Sequence, residues 1–204
     1  MPPALPTEKP IDAAAFSTPR LRAIEVTEAN ADVLQRFFDA NPEYFLATGG
    51  EPPRPNEALE EVRDVPPNGF PYTRMLILCW VDAAGEAAAM ASLTFGLFIP
   101  AVLHVGLLIV ATARHGDGTA RECHDAIERE AREHGYQWLR LGVVQGNARA
   151  EAFWARCGYV ETRVRDGIPM GRLTQSVRVM VKPLGDAGIE EYLAQVTRDQ
   201  PGQP

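Results

Sequence analysis

The chain has 204 residues, of which 46% are hydrophobic and 23% charged, and this composition predicts one domain around a single core. Its formal charge of -7 disfavours the broad phosphate contacts of a nucleic-acid-binding protein. No apolar run approaches the roughly 20 residues of a membrane span, and the first ten residues lack the order of a secretory signal. We therefore expect a cytoplasmic protein with no nucleic-acid or membrane partner.

The first part of the chain predicts a strand and then helices. Residues 1–19 are rich in proline and polar residues and are expected to form a mobile segment. The alternating run 21–26 predicts a strand, and apolar residues at helical spacing predict a helix after Asn30. Residues 41–50 are expected to form an irregular connection, which leads to a second helix over residues 56–64.

The middle of the chain predicts a hairpin, a buried strand and a long helix. Runs 73–82 and 87–98 are separated by the four residues 83–86, a linker short enough for an antiparallel hairpin. The nearly unbroken apolar run 102–110 is typical of a central strand that is buried on both faces. Residues 118–134 form an amphipathic helical pattern that ends at a glycine.

The last part of the domain alternates strands and helices. It predicts a strand over 138–144, a helix over 148–157, and strands near 159–164 and 176–181. The order β-α-α-β-β-β-α-β-α-β-β is of the α+β class, with one mixed sheet and helices packed on its faces.

Residues 110–120 carry the clearest chemical pattern. Here an apolar strand joins an amphipathic helix through Gly116 and Gly118. Glycines let consecutive N–H groups turn toward one point, and the helix N-terminus adds about half a positive charge. A pyrophosphate would fit this turn, and an ordinary glycine turn before a helix is the other interpretation.

Two segments resemble one protein family. Residues 115–120, His-Gly-Asp-Gly-Thr-Ala, resemble the Arg/Gln-x-x-Gly-x-Gly/Ala signature of the GNAT superfamily of acyl-CoA-dependent acyltransferases, with His115 where Arg or Gln is usual. Residues 147–159 are similar to that family's Asn-x-x-Ala-x-x-Phe-Tyr-x-x-x-Gly-Phe segment, with Trp154 in place of the tyrosine. The resemblance is specific over 106–162.

This resemblance implies a fold, a cofactor and a set of binding residues. The resemblance extends more loosely over a GNAT-like domain at residues 20–184. It implies a central mixed, mostly antiparallel sheet with helices on both faces. Residues 185–204 would then form a partly helical extension with a mobile tip. Acetyl-CoA is the implied co-substrate: its thioester would lie beside Leu108, its pantetheine would pair with the main chain of Ile109 and Val110, and N–H groups of 115–120 would hold its pyrophosphate. The implied cofactor-binding residues are Leu108, Ile109, Val110, His115, Gly116, Asp117, Gly118, Thr119, Ala120, Asn147, Phe153 and Trp154.

The catalytic acid and base stay open at this point. Many members of the family carry a tyrosine that protonates the departing thiolate, and the indole of Trp154 cannot release a proton usefully near neutral pH. Water, Tyr159 or Cys157 could take that role. His104 is the candidate base because its side chain titrates near physiological pH, and a structural or surface histidine is the alternative. Glu43 and Tyr44 are candidates for the acceptor pocket, and an ordinary surface loop is the alternative.

The resulting hypothesis is an N-acetyltransferase that transfers an acetyl group to a primary amine of a small molecule by direct attack. The negative net charge could draw in a cationic amine. Two alternatives are a CoA-binding module without turnover and an acetyltransferase of protein lysines or N-termini. No metal is expected, since Cys79, Cys123 and Cys157 form no Cys-x-x-Cys pair, and a homodimer is an expectation from family analogy alone.

Overall fold

The computed structural model of the protein describes residue 6 and residues 10–203. Predictions for residues 1–5, 7–9 and 204 lie outside this part of the chain. The described residues form the strands β1 (Arg22–Val26), β2 (Arg74–Val81), β3 (Ala87–Phe95), β4 (Val102–Val110), β5 (Trp138–Val144), β6 (Val160–Met170) and β7 (Leu173–Pro183). Their α-helices are α1 (Ala31–Ala40), α2 (Glu43–Gly49), α3 (Glu57–Arg63), α4 (Thr119–Glu133), α5 (Ala148–Arg156) and α6 (Ile189–Gln195).

All described strands belong to one sheet with the order β1-β2-β3-β4-β5-β7-β6. Only the β4–β5 pair is parallel, and the other neighbours are antiparallel. Phe38 of α1 belongs to the core on one face of the sheet, and Ile127 of α4 belongs to the core on the other. The predicted α+β class, with a mixed, mostly antiparallel sheet covered on both faces, is therefore confirmed.

The sheet opens between β4 and β5. These strands pair only where Val102–Val105 face Trp138–Leu141, and the described residues beyond show no pairing between them. Gly106 is a bulge, because Leu107 opposes Ser92 while Val105 opposes Leu93. A bulge bends its strand, and this one stands where the gap begins. The sequence predicted full burial of 102–110, but Gly106 is exposed and Leu107, Leu108 and Val110 are half-buried, because this part of β4 borders the gap.

Helix α2 corrects the expected irregular connection over 41–50. It begins after Pro42 and ends at Gly50, whose φ of 74° suits a glycine at a helix end. Seven residues are too few to display a clear helical repeat in the sequence, and the surrounding prolines favoured a loop assignment.

The β6–β7 hairpin is longer than the predicted strands 159–164 and 176–181, and its tip reaches α2. The chain reverses at Gly171, whose φ is 56°. Arg172 N–H donates to the carbonyl of Gly49 at 2.8 Å, and Gln175 Nε2 donates to the carbonyl of Thr48 at 2.9 Å. The hairpin thus bridges the sheet edge and the end of α2.

Both ends of the described chain contain packed residues. Phe16 is fully buried in a 3₁₀ turn over Ala13–Phe16, and its carbonyl accepts a hydrogen bond from the indole of Trp80 at 2.8 Å. Packed structure therefore extends into the segment 1–19 that was expected to be mobile. Near the other end, Asp199 is buried and pairs with Arg140 at 2.7 Å. Within the described chain, every helix is too short or too polar to cross a bilayer.

Candidate functional site

A cavity of about 1160 Å³ occupies the gap between β4 and β5. At one end it is lined by the turn that follows β4 and by α5. At the other end it is lined by α2 and by residues of the β6–β7 hairpin, including Met170 and Val177. The gap in the sheet joins these two ends, so a ligand in the cavity can contact both faces of the sheet.

The turn after β4 presents free main-chain donors to the cavity. Gly116 and Gly118 have φ values of 87° and 92°, a region that favours glycine. Within the described chain, no hydrogen-bond acceptor is found for the N–H groups of Gly116, Gly118 and Ala120, whereas the N–H of Thr119 donates to the Asp117 carboxylate at 2.8 Å. Unpaired amides at the N-terminus of α4 make this turn suited to an anion.

Cationic side chains surround the same turn. The arginines that line this end are Arg114, Arg121, Arg149 and Arg156. Arg149 Nη1 donates to His115 Nδ1 at 2.8 Å, and in the matching tautomer His115 Nε2–H donates to the carbonyl of Val110 at 3.1 Å. Glu43 carries the one carboxylate among the described lining residues, and it accepts a hydrogen bond from the Thr112 hydroxyl at 2.7 Å.

The open edge of β4 offers main-chain groups to a ligand. Ala111 N–H donates to Ala88 of the neighbouring segment at 2.9 Å, away from the gap. Because successive residues of a strand direct their main-chain groups to opposite sides, Val110 and Leu108 direct theirs into the gap. Ile109 directs its main chain toward β3, which differs from the predicted pairing of pantetheine with Ile109. The difference arises because main-chain groups alternate along a strand, and the sequence alone does not show which residues of β4 face the gap and which face β3.

Most of the predicted cofactor-binding residues line the cavity. They are Leu108, Ile109, Val110, His115, Gly116, Gly118, Ala120, Asn147, Phe153 and Trp154. Asp117 and Thr119 do not line it: the Asp117 carboxylate turns back to the Thr119 N–H, and Thr119 is fully buried. Asn147 caps α5, since its Oδ1 accepts from the Ala150 N–H at 3.2 Å.

Trp154 is a buried residue that also lines the cavity. Its ring lies 4.8 Å from that of Phe153 and 5.3 Å from that of Tyr159, both edge-to-face. Such aromatic contacts stabilise the helix position, and the indole N–H adds only a hydrogen-bond donor.

The structure places His104 outside the cavity. Its Nδ1 lies 3.0 Å from the carbonyl oxygen and 3.3 Å from a guanidinium nitrogen of Arg140. Burial, with the nearby charge of Arg140, lowers the pKa of His104 to about 3, so the imidazole is neutral. Its role as a base stays a prediction that this geometry does not support.

Tyr159 also lies outside the cavity. Its hydroxyl is 3.3 Å from Nε2 of His124, beneath α4, and burial raises its pKa well above the usual value. Cys157 does line the cavity, and burial raises the pKa of its thiol. Neither arrangement supplies an evident acid beside β4, and the acid predictions for both residues remain untested.

The other end of the cavity contains residues that sequence reasoning only partly found. Tyr44 and Glu43 had been considered as pocket residues, and both line it. Thr48, Met170 and Val177 also line it and were not found. Their segments carry an ordinary turn or hairpin pattern, and only the folded contact between the hairpin and α2 brings them together.

The open sheet and the turn after β4 with its free N–H groups at Gly116, Gly118 and Ala120, which we call the amide turn, are typical of an acyltransferase. Comparison with known proteins supports this class. The model of the acetyltransferase (GNAT) family matches residues 27–159. The chain belongs to this family. No curated protein sequence matches the chain.

Solved structures with the same fold cover most of the chain. A structure from Chromobacterium violaceum described as a probable acetyltransferase of the GNAT family aligns with a TM-score of 0.70 at 14% identity, over 92% of this chain and 97% of that one. An acetyltransferase from Thermus thermophilus aligns with a TM-score of 0.64 at 24% identity, over 81% and 97%. An N-acetyltransferase from Thermoplasma acidophilum in complex with coenzyme A aligns with a TM-score of 0.56 at 14% identity, over 80% and 98%. At these identities the likeness concerns the fold.

Proposed function

We propose that the protein transfers an acetyl group from acetyl-CoA to a primary amine of a small molecule. The observation that carries this proposal is one continuous cavity that joins an amide-lined turn, an open strand edge and a compartment beneath a hairpin. Family membership supports acyl transfer, and the coenzyme A bound in the structure from Thermoplasma acidophilum supports the choice of acyl carrier.

The residues present fit coenzyme A. The N–H groups of Gly116, Gly118 and Ala120 would hold its pyrophosphate, and Arg149 would add a charged contact nearby. The main chain of Leu108 and Val110 would pair with the pantetheine as a neighbouring strand does. Phe153 and Trp154 would cover its apolar part.

In the proposed reaction, bound acetyl-CoA supplies the acetyl group as a thioester, so that a C–N bond forms to the amine while the C–S bond breaks. A main-chain N–H of β4 that is directed into the gap polarises the carbonyl. The strand edge and the compartment hold the two reactants in line, which lowers the barrier by orientation. The proton of the amine passes to water, and the departing thiolate, with a pKa near 8.5 as the free thiol, accepts a proton from water.

The contact between the hairpin and α2 favours a small acceptor. Protein lysines and N-termini need a groove that admits a chain, whereas hydrogen bonds from Arg172 to Gly49 and from Gln175 to Thr48 close this side of the cavity. A binding module without turnover is the second candidate function, because Trp154 stands in place of the usual acid and the two basic groups among the described lining residues, Glu43 and His115, are each held by hydrogen bonds to neighbouring residues.

The test is an acetyl-CoA assay that detects free thiol with a panel of amines, amino acids and polyamines. The proposal predicts thiol release that depends on one class of amine and yields the N-acetyl product by mass spectrometry. If acetyl-CoA binds and the entire panel gives no release, the binding module is the better account. Acetylation of peptides in preference to small amines would contradict the choice of acceptor.

A further inference from the structure

A group of arginines lies on the sheet face covered by α1–α3, next to the hairpin end of the cavity. Arg163 and Arg165 of β6 oppose Val179 and Val177 of β7, and opposed residues of antiparallel strands share a face and lie about 5 Å apart. Val177 itself lines the cavity. Arg165 is thus one strand away from the cavity wall.

Two more guanidinium groups complete the group. Arg140 on β5 opposes Val181 of β7, on the same face. Arg198 comes from the chain after α6, and its guanidinium lies 4.0 Å from the ring centre of Phe70 and 4.6 Å from that of Phe98. We name Arg140, Arg163, Arg165 and Arg198 the arginine cluster.

The arginine cluster has too few anions for its charge. Among the residues that the structure describes, Asp199 carries the one carboxylate bound to the cluster. This carboxylate is fully buried and bound to Arg140 at 2.7 and 3.1 Å and to the Tyr192 hydroxyl at 2.5 Å. Among the described residues, no ion pair involves Arg163, Arg165 or Arg198. Four guanidinium groups against one carboxylate leave a formal excess of three positive charges.

Some of these nitrogen atoms have no hydrogen-bond partner. Arg163 is 7% exposed, and one of its terminal nitrogens donates to the carbonyl of Arg198. In the described chain, the Nε atoms of Arg163 and Arg198 are buried without an acceptor. A buried charged donor without a partner costs folding free energy, so an arrangement that keeps several of them together points to a ligand.

Coenzyme A does not account for this charge. The phosphate-binding turn, with Arg114, Arg121 and Arg149, lies at the opposite end of the cavity, on the α4–α5 side. At the hairpin end the cavity wall includes Tyr44, Thr48, Met170 and Val177. The one carboxylate among the described lining residues, that of Glu43, is bound to the Thr112 hydroxyl next to the turn after β4. A polyamine would meet repulsion there, even though the whole chain is negatively charged.

We infer that the acceptor carries an anionic oxygen group besides its amine, and that Arg165, with Arg163 and Arg198 behind it, binds this group. This inference rests on the proposed function. A guanidinium matches a carboxylate or a phosphonate with two parallel hydrogen bonds, which fixes the orientation of the acceptor as well as its affinity. The acceptor class is therefore an amino acid or an aminophosphonate.

The experiment compares acceptors that differ only in the anion. Amino acids of increasing side-chain size are each assayed beside their carboxamides and their decarboxylated amines, with alanine beside 1-aminoethylphosphonate to distinguish the two anions. The inference predicts a kcat/KM for the anionic acceptor about 10- to 100-fold above that of its carboxamide. In Arg165→Gln this ratio falls toward one.

The matched control is Arg22→Gln. Arg22 is an exposed arginine on β1, the edge strand at the opposite side of the sheet, and there the ratio stays at its wild-type value. Carboxamides and amines that are acetylated as well as the acids, or an Arg165→Gln ratio equal to that of Arg22→Gln, would overturn the inference.

A binding measurement separates this inference from the proposed function. In the presence of CoA, N-acetylated amino acids are expected to raise the melting temperature of the wild type more than their carboxamides do, and this difference disappears in Arg165→Gln. If no acceptor releases thiol, acetyl transfer fails, and the melting difference alone decides whether the arginine cluster binds an anion. Equal shifts for acid and carboxamide would contradict it.

Discussion

At the scale of single residues, burial rather than chemical type decides which candidates reach the cavity. His104 and Tyr159 both carry groups suited to acid–base catalysis, yet each is packed against a neighbour, Arg140 in one case and His124 in the other. Sequence shows which side chains can titrate. It does not show whether a position on a strand lies above or below the point where two strands separate.

His104 gives a prediction for the pH dependence of stability. Its pKa is about 3 in the folded protein, below the ordinary value of 6.5, so the unfolded chain binds a proton more readily. The neutral imidazole makes its full contribution to the free energy of unfolding above pH 6.5, and this contribution is lost as the pH falls toward 3. At pH 5 the loss is about 2 kcal/mol.

We expect His104→Gln to remove this part of the acid destabilisation. Denaturant unfolding at pH 7.5 and pH 5 measures it: the free energy of unfolding should fall less in the variant than in the wild type. An equal fall in both proteins would contradict the buried neutral state. A loss in kcat/KM of about 100-fold would instead support His104 as the base.

Gly118 gives a second prediction at this scale. Its φ of 92° is unfavourable for alanine, and a side chain there would enter the space before the amide turn. Gly118→Ala should lose about 1–2 kcal/mol of stability and bind CoA about tenfold more weakly.

Gly85→Ala is the matched control for that change. Gly85 has a φ of 85° in the β2–β3 turn, and a Cβ would likewise meet no atom within 4 Å. It should lose similar stability and keep CoA affinity by calorimetry. Equal CoA affinity in the two variants would show that the amide turn does not contact the ligand.

At the scale of elements, the sequence predicts the strands and helices around the turn well, because β4 and α4 are long and have clear patterns. It predicts the hairpin and α2 poorly. Helix α2 has only seven residues, and β6 and β7 extend beyond their apolar runs because they pair with each other and not because each is hydrophobic. One end of the candidate site comes from these less regular elements.

The contact between the hairpin and α2 can be tested at this scale. A Cβ at Gly171 would lie 2.6 Å from the carbonyl oxygen of Gly49, so Gly171→Ala must move the hairpin tip. The acceptor compartment should open, which raises KM for the amine by about tenfold because the acceptor is held less well. CoA affinity should change much less, because the amide turn is at the other end.

Gly167→Ala controls for backbone strain in the same hairpin. Its φ is 71°, and a Cβ there meets no atom within 4 Å. Steady-state kinetics of both variants separates strain from displacement. Similar KM values for the two variants would indicate that the hairpin does not form part of the acceptor compartment.

At the scale of the whole molecule, two electrostatic features oppose each other. The chain carries a formal charge of -7, while arginines line the turn end of the cavity and the arginine cluster lies beside its other end. Composition alone suggested attraction of cationic amines. The distribution of charge in the fold favours an anionic ligand at both ends, and the sequence could not reveal this because Arg140, Arg165 and Arg198 are far apart along the chain.

The stability of the whole domain should depend on CoA. A ligand that binds only the folded state at one hundred times its dissociation constant adds about 2.7 kcal/mol. For a domain of this size, the melting temperature should rise by about 5–10 °C. A scan with CoA, and with ATP as a control without pantetheine, measures this, and equal shifts for the two would contradict binding along β4.

The most direct test of the central claim is a crystal structure of the protein with acetyl-CoA. We predict that the pyrophosphate oxygens lie within hydrogen-bonding distance of the N–H groups of Gly116, Gly118 and Ala120, and that the pantetheine runs along β4 beside Leu108. A cofactor bound elsewhere, or a turn whose amides face away from it, would contradict the account.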